Sequence, residues 1–103
     1  MLFRSPEEAF VASVSSCHML FFLAIAAGSG HVVDEYTDAP VGHMEKNGEG
    51  KSAITRVILR PQASYSGDNI PDRAKIEKMH NHAHELCFIA NSVKTEICTE
   101  IVS

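Results

Sequence analysis

The sequence predicts an α+β domain, with two long helices packed on an antiparallel sheet in the order helix, strands, helix, strand. Three observations carry this. A stretch free of Asp, Glu, Lys and Arg runs from Ala9 to Gly30, with capping residues before it and glycines at its end. Alternating, β-branched stretches follow it and also close the chain. Between them, the segment from Pro71 to Ser92 repeats apolar residues at three-and-four spacing. A chain of 103 residues holds one domain, 1–103, and at this size buries roughly two-thirds of its unfolded surface.

The first helix opens on Ser5 as N-cap, with Pro6 at the first helical position and Glu7 and Glu8 at the positive end of the dipole. Ser5 and Glu8 also fit the capping-box spacing, and Gly28-Ser29-Gly30 ends the element. Phe10, Val14, Cys17, Phe21, Ala24 and Ile25 share one face. Val11, Leu20, Phe22 and Leu23 make the helix apolar nearly all round, so burial on most sides is expected, by a partner subunit as well as by the sheet. A homodimer is the implied assembly. Met19 to Ala27 has the look of a signal-peptide core, but Glu7 and Glu8 stand where positive charge is needed, with only Arg4 to offset them. Ser13, Ser15, Ser16, Cys17 and His18 dilute the apolar run as well. A buried helix, no membrane partner and a cytoplasmic location are therefore expected.

Strands follow. His31 to Tyr36 is β-rich, and the extended chain continues past Pro40, where a bulge or edge is expected, to Lys46. Asn47-Gly48-Glu49-Gly50 is a turn. From Ser52 to Tyr65 the chain alternates, Ala53, Thr55, Val57 and Leu59 opposing Ile54, Arg56 and Ile58, until Ser66-Gly-Asp-Asn69 stops it. The second helix is expected from Pro71-Asp72 to about Ser92, with Ile76, Met79, Ala83, Leu86, Cys87 and Ala90 inward and Glu77, Lys78, Asn81 and Glu85 outward. Val93, Thr95, Ile97, Thr99 and Ile101 then mark one face of a closing strand.

A net charge of -4 gives no electrostatic reason to expect a nucleic-acid partner. The cysteines, Cys17, Cys87 and Cys98, are odd in number with no CxxC spacing, which fits neither a secreted disulfide framework nor a zinc site. Taken alone, Cys17 and Cys87 read as small buried hydrophobes. His80 and His84 have the i, i+4 spacing of metal-binding pairs, but no third ligand accompanies them. The cluster His80, His82 and His84 is read as a solvated polar face with His84 near Cys87, and no metal or cofactor is expected. Cys98, on the polar side of the last strand, is read as a spectator.

Two motifs change the reading of the cysteines. Ser5-Pro-Glu-Glu-Ala-Phe-Val-Ala-Ser-Val-Ser-Ser-Cys17-His resembles the helix motif of OsmC/Ohr proteins, with the cysteine ten residues after Glu7. Ala83-His-Glu-Leu-Cys87 resembles the second cysteine motif of the same family. The resemblance spans Ser5 to Ile101 in matching element order. It implies an intertwined homodimer and a thiol peroxidase acting on organic hydroperoxides. Cys17 would attack the peroxide as thiolate, and Cys87 would close a disulfide with it. A dithiol reductant, a lipoylated protein in the family, would reset the pair. Glu7 would take the family's carboxylate role, orienting a guanidinium that stabilises the thiolate.

The chain departs from the pattern in two places. The family's catalytic Arg lies on N-terminal strands, whereas this sequence starts almost at the helix, implying a shortened or a divergent member. Cys87 is followed by Phe88 where many members have Pro. His18, Arg56, Arg60 and Arg73 are the alternative sources of positive charge. A protein that had lost the Arg would be a non-catalytic binding or redox-sensing relative.

Overall fold

The capping residues set the first element as expected. Helix α1 (Pro6–Gly28) begins where the Ser5 hydroxyl accepts the Glu8 N–H and donates to Glu8 Oε1 at 3.0 Å. It ends in a Schellman closure around Gly30 (φ +81°): the His31 N–H reaches Ala26 O at 2.9 Å, and that of Gly30 reaches Ala27 O at 3.0 Å. The computed structural model describes residues 5–102, and Arg4 falls outside them.

The next four strands are one long hairpin, interrupted midway. β1 (Val32–Asp38) and β2 (Val41–Lys46) ascend to the Asn47 turn, and β3 (Ser52–Leu59) and β4 (Pro61–Ser66) descend from it. Pairing is antiparallel, β1 with β4 and β2 with β3. The register is unbroken across the interruption, since Asp38 faces Pro61 and Val41 faces Ile58. The single strand expected from Ser52 to Tyr65 is thus two. Pro61 has no N–H for the ladder, and the Arg60 N–H turns aside to Asp38 Oδ1 at 2.7 Å. The other Asp38 oxygen accepts the Ser15 hydroxyl at 2.6 Å, fastening the bend to α1. Above the bend, α1 lies close over β2: a Cβ on Gly42 would sit 2.7 Å from Val11 Cγ2.

Helix α2 (Arg73–Leu86) is capped by Asp72, whose Oδ1 accepts the Lys75 N–H at 2.8 Å. The helix expected to continue to Ser92 stops earlier. Cys87 takes an extended conformation (φ -65°, ψ 105°), and the short α3 (Phe88–Asn91) starts after it. No Pro or Gly dictates this break. The new direction lays Ile89 on the cluster of Val14, Val57 and Leu59. The last strand, β5 (Glu96–Thr99), is shorter than expected and runs parallel to β3, so the second sheet, ordered β2-β3-β5, is mixed.

Two apolar clusters form the core. One joins Phe22 and Ala26 of α1 to Ile76, Met79 and Ala83 of α2 and Ala63 of β4; the other centres on Val14, Val57 and Leu59. Along α1, Cys17 and His18 fall at the seam between them. Within this one chain the all-round burial expected of α1 is confined to Val14, Cys17, His18, Phe22 and Ala26, and Leu20 is 61% exposed. α1 has the length and composition of a membrane span, yet its inner face packs on the chain's own sheet and on α2.

Candidate dithiol site

Cys17 reaches the site from the inner face of α1, Cys87 from the extended residue between α2 and α3. Both are free and buried, and they lie near enough for Cys17 to act on the Cys87 thiol. Burial pushes the Cys87 thiol above its ordinary pKa. The N–H groups of Ala90 and Ile89 oppose that shift, and the Cys17 sulfur adds to it. One turn along α1, Phe21 meets Phe88 edge-on with ring centroids 5.9 Å apart, so an aromatic pair flanks the thiols. Two neighbouring thiols can join as a disulfide by losing two electrons and two protons.

Beside the thiols lies a pair that the sequence did not reveal. His18 Nε2 and His80 Nδ1 are 2.9 Å apart, with the rings nearly parallel, and both residues are buried. Phe22 stacks on His80, centroids 4.1 Å apart. Burial lowers the pKa of His18 to about 4; Asp38 opposes this and His84 adds to it. Burial likewise lowers His80 to about 4, helped by His18 and Arg73. Both rings are therefore neutral near pH 7, one donating an N–H to the bare nitrogen of the other. Among the described residues, His80 Nε2 is buried without a partner. The solvated-face reading of the histidines holds for His82, which is exposed, but His80 belongs to the core and His84 is half-buried. His18, being neutral, supplies no positive charge. Among the described residues no three metal-ligating side chains converge.

The remaining residues named from sequence stand apart from the thiols. Glu7 is exposed, and the ten helical residues to Cys17 amount to about 15 Å of rise. Arg60 pairs with Glu100 and Arg73 with Glu77, while Arg56 is exposed on β3. Among the described residues, then, no guanidinium is hydrogen-bonded to either sulfur. Cys98 bonds to Glu96 Oε1 at 3.1 Å, away from the other two. Asp38, which ties α1 to the hairpin bend two residues before Cys17 through Ser15, is a positioning residue that no sequence motif marked.

Comparison with known proteins agrees with this architecture. No curated protein sequence matches the chain. The solved structure of an OsmC-like protein of unknown function from Vibrio cholerae is 58% identical, with a TM-score of 0.93 over 94% of this chain. This chain spans 63% of the length of that protein. The organic hydroperoxide resistance protein OhrB of Bacillus subtilis superposes with a TM-score of 0.77 at 20% identity, covering 98% of this chain and 72% of its own. An OsmC-like protein from Mycoplasma pneumoniae gives 0.78 at 13% identity, covering 95% and 70%. Those last two similarities concern the fold alone. The profile of the OsmC-like protein family matches residues 3–102, and the chain belongs to that family.

Proposed function

We propose that the chain is a thiol-dependent peroxidase that reduces organic hydroperoxides through Cys17 and Cys87. The observation that carries this reading is the proximity of two buried free thiols from positions 17 and 87, far apart in sequence. The Cys17 sulfur attacks the peroxide, forming an S–O bond as the O–O bond breaks; the alkoxide leaves and takes up a proton. Cys87 then attacks the sulfenic acid, releasing water and forming the disulfide, which an external dithiol reduces. The Phe21–Phe88 pair offers apolar surface for the organic group of the substrate. We assign the exposed apolar side chains Leu20 and Phe88 to the interface of a homodimer. Glu7 enters as the carboxylate that holds a guanidinium, which the described residues do not supply.

The test is turnover of cumene hydroperoxide with dihydrolipoamide, for wild type and Cys17→Ser. Turnover by wild type and its loss in the variant support the reading; no turnover and no selective oxidation of Cys17 refute it. Glu7→Gln separately tests the carboxylate, since undiminished turnover removes Glu7 from the site. A second reading, a dithiol binding or redox-sensing protein, is favoured by the lack of a guanidinium at either sulfur among the described residues. It predicts that one equivalent of peroxide closes the disulfide while no catalytic turnover follows.

A further inference from the structure

We propose that His18 and His80 are positioning residues of the dithiol site: their hydrogen bond pins α1 against α2 at the spacing at which Cys17 and Cys87 can form a disulfide. This inference rests on the dithiol reading above. Its basis is geometric. His18, the neighbour of Cys17 on α1, meets His80, which lies about two turns before Cys87. The 2.9 Å contact, buried at both ends, is the polar cross-link between these two helices nearest the thiols. Phe22 stacks on His80 and fixes its ring plane, so the bond has one direction in which to form. Apolar side chains in the same place would let one helix slide or rotate on the other. A directional bond in a dry interior sets a single register.

The arrangement is also costly in a way that packing alone does not explain. His80 Nε2 is buried without a partner among the described residues, a penalty that leucine would avoid. Cys87 caps the end of α2, its N–H bonded to Ala83 O at 3.0 Å, so its position follows that of α2. The relative placement of α1 and α2 must then come from contacts elsewhere along the helix pair, and the histidine bond is the nearest directional one.

The experiment measures the dithiol–disulfide equilibrium of the full chain in graded ratios of reduced and oxidised dithiothreitol, with thermal melting alongside. Asn carries its amide where imidazole carries Nδ1, so His80→Asn retains the bond, whereas His80→Leu removes it. In His80→Leu the equilibrium constant is expected to move tenfold or more, equivalent to about 30 mV, while His80→Asn stays within about threefold of wild type. A purely structural role would lower the melting temperature of His80→Leu and leave the equilibrium where it was, which would overturn the proposal. Should His80→Leu fail to fold, His80→Gln replaces it, polar but with its amide one bond too far out. The same tenfold displacement is expected, and a wild-type equilibrium would again overturn the idea. If wild type forms no Cys17–Cys87 disulfide at any ratio, the dithiol reading fails and takes this inference with it.

Discussion

His18 and His80 give the fold a pH dependence whose sign is fixed by their burial. Each has a folded pKa near 4, below the ordinary 6.5, so the unfolded chain binds protons more readily. Their contribution is complete above about pH 6.5 and is lost as pH falls toward about 4, on the order of 3 kcal/mol for a single ring. Asp38 and His84 face His18, and Arg73 faces His80; the first favours protonation and the other two oppose it. Urea midpoints for wild type should therefore fall between pH 6.5 and 4, and His80→Leu should show a shallower slope. The cysteines could be found from the sequence because each sits in a spaced local motif. The histidine pair could not, because 62 residues separate its members and the spacing of His80 pointed to His84 instead. His18 also adjoins Cys17, and both are buried, which a single-face helical pattern does not anticipate.

At the scale of elements, the closeness of α1 to the hairpin makes two small residues sensitive. Gly42→Ala would drive a methyl group into Val11, a β-branched side chain with little freedom to withdraw. A loss of about 1–3 kcal/mol is expected, read as a lower urea midpoint at unchanged slope. Asp38→Ala deprives the Ser15 hydroxyl and the Arg60 N–H of their acceptor at the bend. A loss of about 2 kcal/mol or more is expected there, and because Ser15 lies two residues before Cys17, slower disulfide closure should accompany it. Helix α1, the Asn47 turn and the start of α2 were legible, since capping and turn residues act locally. The end of α2 was not: Cys87 is turned out of the helix by tertiary packing of Ile89, with no local breaker. The parallel placement of β5 was equally hidden, because alternation of side chains reads the same in either strand direction.

For the molecule as a whole, the exposed apolar side chains are where the proposed homodimer is tested. Leu20, Ile70 and Phe88 are each 61% exposed, a large apolar display for a chain of this size. If a second copy covers this surface, Leu20→Arg should convert a dimer to a monomer in sedimentation velocity without altering the far-ultraviolet circular dichroism spectrum. A wild-type chain that sediments as a monomer at every concentration would remove the dimer from the proposal.

The separation of the two thiols along the chain has a thermodynamic consequence of its own. A bond between positions 17 and 87 would close a ring containing the entire hairpin and α2. Tying two points so far apart restricts the unfolded chain much more than the folded one, where the two thiols already lie near each other. Chain-entropy arguments put the difference at about 4 kcal/mol for a loop of this length. The oxidised protein should then unfold at a distinctly higher temperature than the reduced one. A melting curve with and without reductant would thus report the state of the site in the absence of any substrate.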